Sequence, residues 1–250
     1  METQFKKILT AINKVAAIKS ERDLFEQSPL FQKEERQLLE QWSGKTISQI
    51  KKVLSPTYGK SQASFNPFND DNGPTWMPVI FSRFDENSRP TIFYSCENTD
   101  FGKVIIASTD EGICYLTFFS GDESKAEKIL QGEFPASQIV NKKNTNIEIA
   151  LNYLDGDNTN PVPLHVKGTP DKLKIWEALC TIPAGGFISY GTLAKATNNM
   201  AREVGIAMGD NRIAMLIPCH RVIKSTGELG QYHWGAIRKR AMIIKEAVII

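Results

Sequence analysis

Residues 58–90 are crowded with Asn, Asp, Ser, Gly and Pro, and the hydrophobic pattern before this stretch differs from the pattern after it. Residues of these types favour turns over helices and strands, so the segment reads as a linker or long irregular connection containing a domain boundary. On its N-terminal side apolar residues recur at helical spacing. Phe5, Ile8, Leu9, Ile12 and Val15 line one face of a first helix. Ser28-Pro29 signals the start of a second, with Leu38, Leu39 and Trp42 on its apolar face and Gly44 at its end. A third spans 47–54 and stops at Ser55-Pro56.

On the C-terminal side the pattern turns to β. Segments 91–96, 102–108 and 112–119 are rich in β-branched and aromatic residues and separated by turn residues, which predicts adjacent antiparallel strands. Short helical stretches follow at 125–130 and 147–154, then a strand over 162–166, and helix signals dominate from Pro170. The expected fold class is α/β: a helical N-terminal extension with its linker (1–75), a small α/β subdomain (91–166) and a helical C-terminal domain (170–250).

Four cysteines, Cys96, Cys114, Cys180 and Cys219, are irregularly spaced without a CxxC pair. That argues against a zinc ribbon or a disulfide framework and for a reducing compartment. No basic-then-apolar signal pattern opens the chain, and no run approaches the roughly 18 apolar residues of a membrane span. The expected location is cytoplasmic, or nuclear in a eukaryote, with no membrane partner. Charge is unevenly distributed: residues 166–250 carry 12 Lys+Arg against 6 Asp+Glu, whereas 61–165 carry 7 against 15. A basic C-terminal unit is consistent with a polyanionic partner, although most charge clusters are simply solvated faces.

Within that basic region stands Ile217-Pro218-Cys219-His220-Arg221-Val222. Proline is favoured at the first position of a helical turn, which would set Cys219 near unpaired backbone N–H groups whose positive potential stabilises a thiolate. A neighbouring imidazole could accept the thiol proton. The bland alternative is an inert buried cysteine. Upstream, Tyr190–Thr197 and 200–208 outline two helices, with Asn198-Asn199 as the turn and a good N-cap. That is a helix-turn-helix outline with Arg202 facing outward, a pattern that also occurs outside DNA-binding proteins.

From Lys174 onward the chain resembles the O6-alkylguanine-DNA alkyltransferases, most closely their Ada-type bacterial branch. The resemblance rests on Ile188–Tyr190 (ISY), Arg202–Gly205 (ArgxValGly), Asn211 eight positions before the cysteine, the IPCHRV core, the GQYHWG turn and a closing Lys-Glu. It extends weakly back to about residue 92. It implies a ribonuclease H-like antiparallel sheet in the α/β subdomain. It also implies a single-turnover repair reaction, in which the alkyl group of an everted O6-alkylguanine, with O4-alkylthymine as a possible second lesion, passes to Cys219. No cofactor, no nucleotide cofactor and no metal are implied. It further implies double-stranded DNA carrying the lesion as the partner and a protein that acts as a monomer.

The resemblance carries further roles. His220 would serve as base through a bridging water, because adjacent side chains on a helix do not face each other, and Glu246 would orient it. Tyr190 would donate its phenol toward guanine N3, Asn211 would tie the helix-turn-helix to the reactive turn, and Arg202 would fill the gap left by the everted base. Arg221 joins Arg202 and Tyr190 among the DNA-contacting residues, with a structural part beside the reactive turn. Val222, Tyr232 and His233 would line the base pocket, where His233-Trp234 replaces the small residues of some relatives. Arg212 stands where many relatives have proline.

Three other readings remain open at this point. One is a Cys-His hydrolase pairing Cys219 with His165 or His233. Another is a lesion-recognition module of the same fold, although such relatives lack the reactive cysteine. The last is a transcription regulator, for which the first 75 residues offer no sensor cysteine.

Overall fold

The computed structural model describes residues 2–17, 33–63, 79–85 and 87–247. Helix α1 (Glu2–Ala17) buries Ile8, Ala11, Ile12 and Val15 at three- and four-residue spacing, the stripe that its sequence periodicity predicts. Helix α2 (Lys33–Ser43) follows; the expected Ser28-Pro29 start lies outside the described residues. Helix α3 (Ile47–Val53) opens with a reciprocal cap, in which Gln49 N–H donates to Thr46 Oγ1 (3.3 Å) and Thr46 N–H donates to Gln49 Oε1 (2.9 Å).

Residues 58–90 are not a continuous irregular connection. Helix α4 (Pro56–Ala63) enters the segment and strand β1 (Val79–Arg83) lies inside it, while 64–78 fall outside the described residues. Ser55-Pro56 reads as a stop, but it is also a start. Ser55 Oγ accepts the Tyr58 N–H (3.2 Å) and Pro56 takes the first helical position, where its missing N–H costs nothing.

Strands β2 (Ile92–Thr99), β3 (Gly102–Ser108) and β4 (Ile113–Phe118) form the expected antiparallel meander, with Cys96 opposite Ile105 and Ile106 opposite Leu116. The full sheet is mixed rather than antiparallel. Helix α5 (Ala126–Glu133), strand β5 (Ile139–Asn141), helix α6 (Thr145–Leu154) and strand β6 (Val162–Val166) complete it in the order β1-β6-β4-β3-β2-β5. Parallel pairs join β2 to β5, β4 to β6 and β1 to β6. Intervening helices supply the long crossovers that parallel pairing needs, and such pairing leaves no local mark in sequence. Central β3 is buried along nearly its whole length, and Ile92, Tyr94, Ile105, Tyr115, Leu130 and Phe134 pack into one core cluster.

Helix α7 (Pro170–Cys180) precedes the two-residue strand β7 (Ile188–Ser189), and α8 (Tyr190–Thr197) and α9 (Ala201–Asp210) realise the helix-turn-helix outline. Helix α8 ends with Asn198 in the left-handed region (φ 54°), Asn199 N–H on Ala194 O (2.8 Å) and Asn198 N–H on Lys195 O (3.2 Å). The N-cap of α9 is Met200 rather than Asn199. Asn199 spends its side chain on Thr197 O (3.0 Å), and Met200 N–H is taken by Glu203 Oε2 (2.6 Å). Trp176 Nε1–H donates to Ala207 O (2.9 Å) and so fixes α9 against α7. Strand β8 (Val222–Ile223) pairs in parallel with β7, and α10 (Ala236–Glu246) is the last described helix.

The chain divides into two compact units. A helical unit comprises 1–66, 184–192 and 220–250, and a sheet unit comprises 67–183 and 193–219. Among the described residues no helix is long and apolar enough to cross a membrane.

Candidate active site

In the sheet unit the segment after α9 is tied to the meander, with Leu116 N–H on Arg212 O and Ala214 N–H on Leu116 O, each 2.8 Å. Asn211, fully buried at the end of α9, then organises the turn leading to the cysteine. Its Oδ1 accepts Ile213 N–H (2.8 Å), and its Nδ2 donates to Ile217 O (3.0 Å) and to Cys219 Sγ (3.1 Å). Between these anchors Met215 holds a left-handed backbone (φ 65°), a conformation that costs an L-residue about 1–2 kcal/mol. Cys219 is 3% exposed. Its own N–H is occupied by Ile217 O (2.8 Å), and the Asn211 amide is a donor to its sulfur.

In the helical unit Glu246, at the end of α10, gathers three partners. His220 Nε2 lies 2.8 Å from Glu246 Oε1, and Arg221 donates from Nε to Oε2 (3.0 Å) and from Nη2 to Oε1 (2.9 Å). Gly185 N–H reaches Oε2 at 3.5 Å. This fork-to-fork pairing is the strong form of a carboxylate–guanidinium contact. Burial alone would push the Glu246 carboxyl up, but Arg221, then His220 and the hydrogen bonds, outweigh it and hold the group well below the usual carboxylate range. Burial pushes the His220 imidazole below its ordinary value, with Arg221 and Lys239 acting in the same direction and Glu246 opposing them. The two shifts together mean an ionised Glu246 facing a neutral His220. The carboxylate can only accept, so the proton sits on Nε2 and Nδ1 carries a lone pair. Among the described residues that buried Nδ1 has no hydrogen-bond partner.

Arg221 is therefore not on a DNA-facing surface: it is 6% exposed and its guanidinium is held by Glu246. Val222 is fully buried, and its carbonyl accepts from Lys239 Nζ (2.6 Å). Lys239 was missed in the sequence. A lysine in RKRAMIIKE reads as a solvated charge, yet it is 0% exposed. Tyr232 sets its ring edge-on to His220 (centroids 6.4 Å, 86°) and tilts against Trp234 (5.2 Å), while the exposed His233 meets Trp234 at 4.9 Å. Tyr190 is half-buried at the start of α8. Arg202 is exposed in the first turn of α9, on the outer side that also carries Ile206, 50% exposed.

His165 does not serve the hydrolase reading. It is 2% exposed, its Nδ1 is 2.7 Å from Thr109 Oγ1, its Nε2 faces Glu111 at 3.6 Å, and its ring lies tilted against Phe84 (centroids 4.7 Å, 34°). A cavity of about 500 Å³ in the sheet unit borders Asn211 and Ile217, and Cys219 is not part of its lining. Among the described residues no three His, Cys, Asp or Glu side chains group as metal ligands, and no disulfide joins Cys96, Cys114, Cys180 or Cys219.

Residues 170–248 match the family described as the DNA-binding domain of 6-O-methylguanine DNA methyltransferase. The inducible methylated-DNA–protein-cysteine methyltransferase of Bacillus subtilis is 33% identical over 167 residues, which cover 63% of this chain and 92% of that protein. The Escherichia coli bifunctional transcriptional activator/DNA repair enzyme Ada is 32% identical over 162 residues, 62% of this chain and 45% of that protein. Among solved structures, the O6-methylguanine methyltransferase of Mycobacterium tuberculosis superposes with a TM-score of 0.50 at 27% identity, covering 64% of this chain and 96% of that one. The chain belongs to the methylated-DNA–protein-cysteine methyltransferase family. It spans about half the length of Ada and of the Salmonella typhimurium regulatory protein ada.

Proposed function

We propose that this protein repairs O6-alkylguanine in double-stranded DNA by taking the alkyl group irreversibly onto Cys219. The observation that carries the reading is the geometry at His220: Nε2 lies 2.8 Å from Glu246 Oε1, burial favours the neutral imidazole, and no protein group among the described residues hydrogen-bonds Nδ1. His220 is the next residue after Cys219 in the chain, and a water is the link proposed between the imidazole and the thiol. The Asn211 amide gives the sulfur a donor of the kind a thiolate accepts.

The thiol proton passes by way of water to His220 Nδ1. The thiolate attacks the O6-alkyl carbon; an S–C bond forms as the C–O6 bond breaks, and the electron pair passes into the guanine ring. A proton from the Tyr190 phenol neutralises the leaving base. The thioether cannot be hydrolysed, so each molecule acts once and no cofactor is required.

Arg202, exposed at the front of α9, would fill the stack when the base turns out, a step costing a few kcal/mol and less for a weakly paired lesion. Val222, Tyr232 and His233 are the proposed pocket. The protein would act as a monomer, in the cytoplasm of a bacterium or the nucleus of a eukaryote. The test is incubation with a duplex carrying one O6-methylguanine. Equimolar methylated protein is expected, with the added methylene on the peptide containing Cys219, and none from Cys219→Ala. Multiple turnovers, or tight binding with the lesion left intact, would remove the proposal.

A further inference from the structure

We infer that helices α1–α4 are a positioning scaffold for the His220–Arg221–Glu246 cluster and that Trp42 and Tyr58 are positioning residues within it. The inference uses the proposed function only in treating that cluster as the proton-accepting side of the reaction. The cluster is assembled from three stretches of chain, 184–192, 220–230 and 236–246, and the N-terminal helices touch all three.

The first point of contact is α10, which carries Glu246 and Lys239. Its inward residues Ala241, Met242, Ile243 and Ile244 are almost fully buried. Helices α1 and α3 lie against α10, and each brings a buried apolar stripe, Ile8, Ala11, Ile12 and Val15 from one and Ile47, Ile50 and Val53 from the other. Arg240 Nη1 donates to Asn13 Oδ1 (3.4 Å), and Lys245, adjacent to Glu246, sets its ammonium 5.0 Å above the Trp42 ring.

Strand β7 is the second. Tyr58 meets Phe187 edge-on (6.1 Å, 78°), and Phe187 immediately precedes the strand whose parallel partner β8 continues from Arg221. The turn 224–228 is the third, where α4 approaches backbone to backbone. A Cβ on Gly59 would overlap the Gly227 carbonyl, and a Cβ on Gly227, which holds φ 89°, would overlap the Pro56 carbonyl.

A carboxylate at the end of a C-terminal helix keeps a fixed distance to a histidine 26 residues earlier only if both ends are braced. Here the braces are the N-terminal helices. The Nε2-protonated state of His220 depends on that distance, so loosening the scaffold should mix the tautomers without touching α9, which belongs to the sheet unit.

The experiment uses the full-length chain with Trp42→Leu and Tyr58→Leu, and with Trp42→Phe and Tyr58→Phe to retain a ring. Nitrogen-15 shifts of the imidazoles report the His220 tautomer without DNA. Single-turnover methyl transfer and duplex affinity are measured in parallel. Both Leu variants should show mixed tautomers and a transfer rate reduced about tenfold, with affinity within about twofold of the parent, and the Phe variants should restore the parental state. Folded Leu variants with the parental tautomer and rate would overturn the scaffold. Should the tautomer respond as described while the parent protein leaves the lesion intact, the scaffold stands and the repair reaction is what fails.

Discussion

Glu246 holds His220 by Nε2 at 2.8 Å and, through the same carboxylate, takes both arms of Arg221. One group thus fixes the imidazole tautomer and neutralises a buried guanidinium. Glu246→Gln separates the two duties. The glutamine oxygen can still accept from Nε2, but Arg221 is left as a buried cation without its counter-charge, a loss of about 3–5 kcal/mol. The denaturant midpoint should fall accordingly. Transfer by the folded fraction should slow because a neutral amide stabilises the imidazolium less than the carboxylate does, and by less than the roughly 10²–10⁴ that the base itself contributes. A parental midpoint would mean that the guanidinium finds water instead.

The same pair sets the response to acid. Folded His220 titrates below its ordinary 6.5, so between that value and its folded one the unfolded chain binds the proton first. Its contribution is complete above pH 6.5 and is lost as pH falls. Folded Glu246 titrates below its ordinary 4.5, so its contribution is likewise present above 4.5 and lost below it. Urea midpoints should be level from pH 8 to 7, decline below 6.5 and decline more steeply below 4.5. A midpoint that rises on acidification contradicts both assignments.

Asn211 makes three hydrogen bonds from a fully buried side chain, one of them to Cys219 Sγ. Asn211→Ala loses all three at about 1 kcal/mol each, so calorimetry should detect a large drop in stability. Asn211→Asp keeps the shape and the acceptor for Ile213 N–H but turns an anion toward the sulfur. Its transfer rate should fall further than that of Asn211→Ala when both are compared on folded protein. Equal rates would deny the amide any influence on the thiolate.

Why some of this was legible in the sequence and some not is clearest at particular residues. The α1 stripe and the meander are local patterns, so Ile8 to Val15 and 91–119 announce them. The motif residues Asn211, Cys219, His220 and Glu246 are legible as a spacing, which the chain itself carries. What depends on distant chain is invisible to such reading. Strand β1 finds its partner Val162 far along the sequence, Lys239 is buried because Val222 O needs a donor, and Arg221 turns inward because Glu246 waits there. Ser55-Pro56 misled for a different reason: the dipeptide that ends one helix also caps the next.

Arg202 lies exposed on α9 with no burial to lose. Arg202→Ala should leave thermal stability within about 0.5 kcal/mol of the parent. Transfer from duplex DNA should slow far more than reaction with free O6-methylguanine base, since only the duplex requires extrusion. Equal slowing on the two substrates would take the extrusion role away from this residue.

The aromatic run after Gln231 bears on which alkyl groups are accepted. Trp234 meets Tyr232 (5.2 Å) and His233 (4.9 Å), and Tyr232 in turn meets His220, so the indole packs on the ring that is proposed to border the base. An aromatic wall beside the proposed pocket should exclude a benzyl group while admitting a methyl. Trp234→Gly removes the wall and leaves Tyr232 in contact with His220. The ratio of benzyl to methyl transfer rates, measured on matched duplexes, should rise by about tenfold or more, the scale on which a pocket discriminates a few carbon atoms. If parent and variant give the same ratio, the indole does not limit the pocket, and its stacking serves only to hold the turn.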